Sequence, residues 1–470
     1  MQLDITRAAL FCSGGQAFLR FLAFSCVVVN IALVLGMLLC FAARGAAQTA
    51  AAPVDVHLGV GTCAGSTCHG AASQTKRTSN VPQNEYLIWQ RYDKHARAFT
   101  ALQSPLGERI AANLGLGPAE KADSCLDCHA DNVAPEARGV QFHLSDGVGC
   151  EACHGGSLPW LGAHASGLTP QAELTREDGP YRLYPTELPV QRARLCLSCH
   201  EGDDRRFITH KVMGAGHPRL SFELQTYTQI QPAHFVIDDK YRARKVAAQG
   251  VQVWAVGQAM ALERLVTELA EPRHQGGGVF PELVFFDCQA CHHTTTQLRW
   301  QRRASTGLGP GLPHFNDANA VMLRAIAARV APEQARALES DVRALHQALS
   351  AGIGRPAPIA QRIATTAQQL GNLLAGHTFS NADMRAMMIA LAQVSQTSDA
   401  SDYAAAEQAT MAFASIIYTL NMEGAVDAAQ YGRMRAALEG CYSATRVQDS
   451  YDPGAFAAAA RAIEQAAPAW

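Results

Sequence analysis

The chain has 470 residues with 39 lysines and arginines against 41 aspartates and glutamates, a formal charge of -2. It therefore offers neither the basic stripe that nucleic acid requires nor an acidic tail, and nucleic acid is excluded as a partner class. Its length implies two or three folding units, and its 14 cysteines and 17 histidines set it apart from an ordinary chain of this size.

The predicted elements begin with a leader. Arg7 and Arg20 precede an uncharged apolar run from Phe21 to Ala43, followed by the small residues Gly45-Ala46-Ala47. This is the pattern of an export signal, and two fates stay open: cleavage after residues 1–47, or retention as an inner-membrane anchor through residues 21–43. Cys12, Cys26 and Cys40 belong to this segment. Either fate places the remainder in the periplasm.

Residues 55–304 hold five close cysteine pairs and short helical patches broken by Gly and Pro, with little apolar periodicity. One exception is a helix predicted from Ala247 to Leu269, where Val251, Trp254, Ala255, Leu262, Leu265 and Leu269 recur at helical spacing. It leads through Gly276-Gly-Gly278 into the last cysteine pair. Residues 305–470 are rich in Ala and lack paired cysteines. Leu338, Val342, Leu345 and Leu349 form one apolar stripe; Met384, Met387, Met388 and Leu391 form another, after a helix-start box at Ser380-Asn-Ala-Asp383. With Pro332, Pro356 and Pro358 as punctuation, residues 317–467 read as five or six helices in a bundle. A packed helix face accounts for the methionine stripe better than a ligand set, and His346, His377 and Cys441 take the same plain structural reading.

The cysteine pairs carry the chemistry. They are Cys63-Ala-Gly-Ser-Thr-Cys68-His69, Cys125-Leu-Asp-Cys128-His129, Cys150-Glu-Ala-Cys153-His154, Cys196-Leu-Ser-Cys199-His200 and Cys288-Gln-Ala-Cys291-His292. Histidine follows the second cysteine every time. In c-type haem attachment two thiols add across the two vinyl groups, and the adjacent imidazole binds iron on the proximal face. Zinc ribbons pair cysteines too but have no use for a histidine after each second one. The first pair has four intervening residues rather than two, so its loop must bulge to present both thiols. Five haem c groups are expected, with His69, His129, His154, His200 and His292 as proximal ligands. The sparse apolar pattern of residues 55–304 then has a cause, since porphyrin supplies much of the buried apolar surface.

Twelve histidines remain for the sixth iron positions. His95, His164, His210, His217, His234 and His293 are the strongest candidates, one more than the five positions available. His57, His143, His274 and His314 rank below them, as does Met213 as a thioether ligand.

The order Lys94-His-Ala-Arg-Ala-Phe99, Cys125-x-x-Cys-His129 and Gly147-Val-Gly-Cys-Glu-Ala-Cys-His-Gly155, with His164 beyond, resembles the cytochrome c-554 / c-prime family over residues 57–235. That family contains tetrahaem electron carriers associated with hydroxylamine oxidation. The resemblance implies that His95 and His164 are distal ligands and that an open axial position belongs at Cys125–His129. The fifth site and the long helical C-terminus depart from the family.

The expected fold is mainly α: a multihaem cytochrome c core with little regular secondary structure, then an α-helical bundle. The expected function is electron transfer between redox partner proteins in the periplasm or at the membrane. The alternative is an oxidoreductase acting on a small nitrogen or sulfur compound at one five-coordinate haem. A third reading makes the helical tail a docking module for a partner complex.

Overall fold

The computed structural model describes residues 55–73, 81–274, 281–293, 302–309, 311–350 and 356–468. The expected leader, with Cys12, Cys26 and Cys40, and the Gly276–Gly278 link lie outside the described residues. Among the described residues, no helix is long and apolar enough to cross a membrane. There the chain is helical, and its extended pairing is confined to isolated bridges between His57 and Arg138 and between Phe286 and Phe315. The mainly α expectation therefore holds.

Up to about residue 245 the helices are short, and several are built around a cysteine pair. Asp123–His129, Cys150–His154 and Pro189–His200 each end on the histidine of an attachment motif. One helical turn sets residues i and i+3 on the same side, so the two thiols of a Cys-x-x-Cys unit project together, with the imidazole one residue on. The apolar clusters confined to this part are small. Leu102, Ala111, Ala119, Leu126 and Ala130 form one, and Trp160, Leu174 and Leu183 another.

The main core lies elsewhere. The helix Gly250–Ala270 is buried on nearly every face and packs against Ala357–Ala375, with the Met260 sulfur and Ala259 lying over Gly371. Another close approach is at Gly257, where a methyl group would meet the Leu224 Cβ at 2.7 Å. Among the described residues, seven helices follow residue 317 rather than five or six: Ala318–Val330, Pro332–Ser350, Ala357–Ala375, Asn381–Val394, Tyr403–Met422, Ala428–Ala444 and Pro453–Ala466. Pro332 divides one periodic stretch by opening a new helix directly after the previous one, where its missing N–H costs nothing. Asp402, Asp427 and Asp452 start the last three by accepting backbone N–H bonds from Ala405, Gln430 and Gly454. Ser380 and Asp383 form the expected reciprocal capping box.

Met384, Met387, Met388 and Leu391 are fully buried, as are Leu338 and Leu345, so both stripes are packed faces. His346 and Cys441 are buried within the bundle, and the His377 ring packs edge-on against Phe379. The same apolar cluster takes in Val190, Ala193 and Leu197 of Pro189–His200, then Phe222 and Leu224, and runs on to Ile463. It crosses the border expected at residue 305.

Candidate haem sites

At the first attachment motif the four-residue spacer is absorbed by a turn. Cys68 N donates to Gly65 O at 2.9 Å and His69 N to Cys63 O at 3.2 Å, which brings the second cysteine and the histidine back beside the first. Gly70 closes this turn against the Ala64 carbonyl, where a Cβ would stand 1.9 Å from the oxygen. At the fifth motif a short turn, Cys288–Ala290, does the work, with His292 N donating to Cys288 O at 2.8 Å. None of the ten motif cysteines is joined in a disulfide.

Four of the motif histidines face a second imidazole drawn from a distant part of the chain. The ring centres are 6.0 Å apart for His69 and His164, 6.2 Å for His200 and His95, 6.5 Å for His154 and His234, and 6.0 Å for His292 and His210. Two imidazoles bound through Nε2 at about 2 Å on opposite faces of one metal ion put their ring centres about 6 Å apart. Separation alone does not suffice, because His314 and His346 are 6.1 Å apart with no attachment motif beside them. There both nitrogens of His346 are engaged: Nδ1 accepts from Phe315 N and Nε2 donates to Asp317. The four pairs differ in that each contains the histidine of an attachment motif.

Outer hydrogen bonds leave Nε2 as the nitrogen for a metal. His69 Nδ1 donates to Glu85 at 2.9 Å, His95 Nδ1 to Asp93 at 2.8 Å, and His129 Nδ1 to the Ala98 carbonyl at 3.0 Å. Such partners fix the tautomer and ring orientation of a ligating histidine. The carboxylates raise His69 and His95. Against its burial, hydrogen bonds from His95 and Gln231 hold the Asp93 carboxyl down at about 2. Burial does the reverse where no carboxylate stands by. It lowers His154 to about 3 and His200 to about 4, and it depresses His129, His164 and His234. These rings are kept in the neutral form that iron binds.

The sites adjoin one another. Cys63 is in side-chain contact with Cys150, and Cys128 with Cys199, so the first motif touches the third and the second touches the fourth. In each pair the shared hydrogen bond pushes one thiol down and the other up. Cys153 is buried near Cys196 and Cys199, which brings the third motif beside the fourth. The fifth motif is fastened to the helical bundle: Gln289 Nε2 donates to the Gln448 carbonyl at 3.0 Å, and Asp287 N to His314 O at 2.8 Å.

Residues between the cysteines proved structural in a way that motif spacing does not reveal. Glu151 is 2% exposed and accepts three backbone N–H bonds, from Leu58, Gly59 and Ser157, at 2.6 to 2.8 Å. Asp127 accepts from Asn132 and Arg205, both at 2.8 Å, and its carbonyl from Arg206 Nε. The second motif is thus tied to the loop behind the fourth. Among the weaker histidine candidates, His57 donates to Asp131 at 2.7 Å and His274 pairs with Glu268 at 3.1 Å. His217 and His293 fall outside the four ring pairs. His143 and Met213 likewise stand in none of them.

Residues 62–155 match the profile of the cytochrome c554 and c-prime family. A c-type polyheme cytochrome, OmcC of Geobacter sulfurreducens, is 35% identical over 106 residues, which cover 20% of this chain. The aligned part spans 12% of that curated relative's length. No solved structure matches. With the cysteine–histidine motifs and their paired imidazoles, these similarities support a multihaem c-type cytochrome, in which residues 62–155 are similar to the cytochrome c554 and c-prime family.

Proposed function

We propose that this chain is a periplasmic electron-transfer cytochrome that holds five covalently attached haems and passes electrons between redox partner proteins. The observation that carries the reading is the set of four imidazole pairs at iron-bridging separation, each with an attachment motif on one side. When bound, each haem supplies a one-electron iron couple whose potential depends on axial ligands, burial and hydrogen bonding. The residues do the rest. Cys63, Cys68, Cys125, Cys128, Cys150, Cys153, Cys196, Cys199, Cys288 and Cys291 form the thioethers. His69, His129, His154, His200 and His292 are the proximal ligands, with His164, His234, His95 and His210 distal to four of them. Export is supported by the apolar run from Phe21 to Ala43 and its small-residue site.

The contacts between motifs favour a carrier, because abutting sites support a continuous electron path. A second reading, an oxidoreductase working on a small nitrogen or sulfur compound at a five-coordinate haem, rests on His129, the proximal histidine outside the four ring pairs. Pyridine haemochrome analysis of the purified holoprotein should return five haems per chain, and electron paramagnetic resonance should find bis-histidine low-spin iron. A count below five refutes the attachment assignment. One equivalent of high-spin iron that takes up carbon monoxide favours the oxidoreductase.

A further inference from the structure

We propose that His217 supplies the sixth ligand opposite His129, so that the second site is closed where the family resemblance implies an open one. This deepens the five-haem reading and rests on it. Four of the six strong distal candidates are already placed opposite other proximal histidines. Of the other two, His293 directly follows His292 at the fifth motif, whose proximal ring already faces His210.

His217 is held on the structure that carries His129. Asn113 Nδ2 donates to the Ala215 carbonyl at 2.9 Å, and Leu106 and Ile110 lie over Gly216. These three side chains belong to the helix Pro105–Leu114, whose Ala111 shares an apolar cluster with Leu126 and Ala130. Leu126 lies on the helix that ends at His129. The approach segment is itself fixed: His217 N donates to Val212 O and Gly216 N to Met213 O, continuing the turn after the helix His210–Gly214.

The ring is prepared as the other axial rings are. His217 Nδ1 donates to the Pro218 carbonyl at 2.8 Å, as His129 Nδ1 does to the Ala98 carbonyl at 3.0 Å. Both therefore keep Nε2 for a metal.

The test uses the full holoprotein and His217→Ala and His217→Met variants. Wild-type protein should show five low-spin haems and, when reduced, no carbon monoxide complex. His217→Ala should gain one equivalent of high-spin iron and bind one carbon monoxide per chain, and added imidazole should restore the low-spin signal. His217→Met should stay low-spin with one haem titrating at a higher potential, since thioether ligation raises it. This second variant decides the matter if the alanine variant does not fold. The proposal is overturned if wild-type protein takes up one equivalent of carbon monoxide, if His217→Ala leaves the spin state unchanged, or if His217→Met leaves every potential in place. A haem count of five in all three proteins separates these outcomes from failure of the attachment reading, which would lower the count in wild type as well.

Discussion

At the scale of single residues, the carboxylates beside the imidazoles set the finer chemistry. Asp93 is 4% exposed and bonds both the ring and the backbone N–H of His95. A carboxylate on Nδ1 makes the ligand more basic and favours the oxidised iron. Asp93→Asn should therefore raise the midpoint potential of the haem proposed to bind between His200 and His95, and a tenfold change in that one-electron equilibrium corresponds to about 59 mV. A spectroelectrochemical titration reads the shift, and an unchanged potential would deny Asp93 this role. The motif histidines were legible in the sequence because attachment chemistry dictates a fixed local spacing. Glu85, Asp93 and Glu151 were not, since their partners are set by folding rather than by spacing. Which distal histidine meets which proximal one was equally hidden: His164 follows the third motif by ten residues but faces His69 of the first.

At the scale of elements, the helices of the bundle depend on small residues and on one buried ion network. A methyl group at Gly257 would collide with the Cβ of Leu224, an atom next to backbone that has little room to move. Gly257→Ala should cost about 1–3 kcal/mol as an overpacked core contact, measurable by chemical denaturation of the holoprotein. Arg303 reaches both Asp317 and Asp402, and His346 also donates to Asp317. Although burial favours the neutral acid, the Arg303 guanidinium and the hydrogen bond from His346 hold the Asp317 carboxyl well below its ordinary range. A depressed carboxyl contributes stability that is complete above about pH 4, its unfolded value, and is lost as pH falls through the folded value. Asp317→Asn should therefore destabilise the protein near neutrality by about 3 kcal/mol, the lower end for a broken buried pair because Asp402 remains. The variant should also lose part of the acid-induced drop in stability. The methionine stripe and the capping box at Ser380 were readable from periodicity. The division after Val330 was marked by Pro332, whereas the full number of helices was not, because the short breaks between the later ones leave the apolar pattern almost continuous.

At the scale of the whole molecule, the bundle and the haem region share a core. Leu197, two residues before Cys199, is packed in the same cluster as Met384 and Phe413. Truncation after residue 304 should therefore do more than remove a docking tail. Pyridine haemochrome analysis of the shortened chain should show loss of haem at the fourth and fifth sites, and a soluble product retaining all five would show that the bundle is separable. Composition located the change in character near residue 305 but not the cluster, because a border drawn on alanine content ignores which face of Pro189–His200 is apolar.

The contacts between Cys63 and Cys150 and between Cys128 and Cys199 also bear on how the protein is made. Before attachment they are pairs of neighbouring thiols, and in an oxidising compartment such pairs close into disulfides. Either bridge would withdraw a nucleophile from two haem sites at once. On the proposed export, maturation becomes a race between thioether formation and oxidation: a chain exported without its attachment machinery should accumulate Cys63–Cys150 and Cys128–Cys199 cross-links, which peptide mass spectrometry under non-reducing conditions would detect.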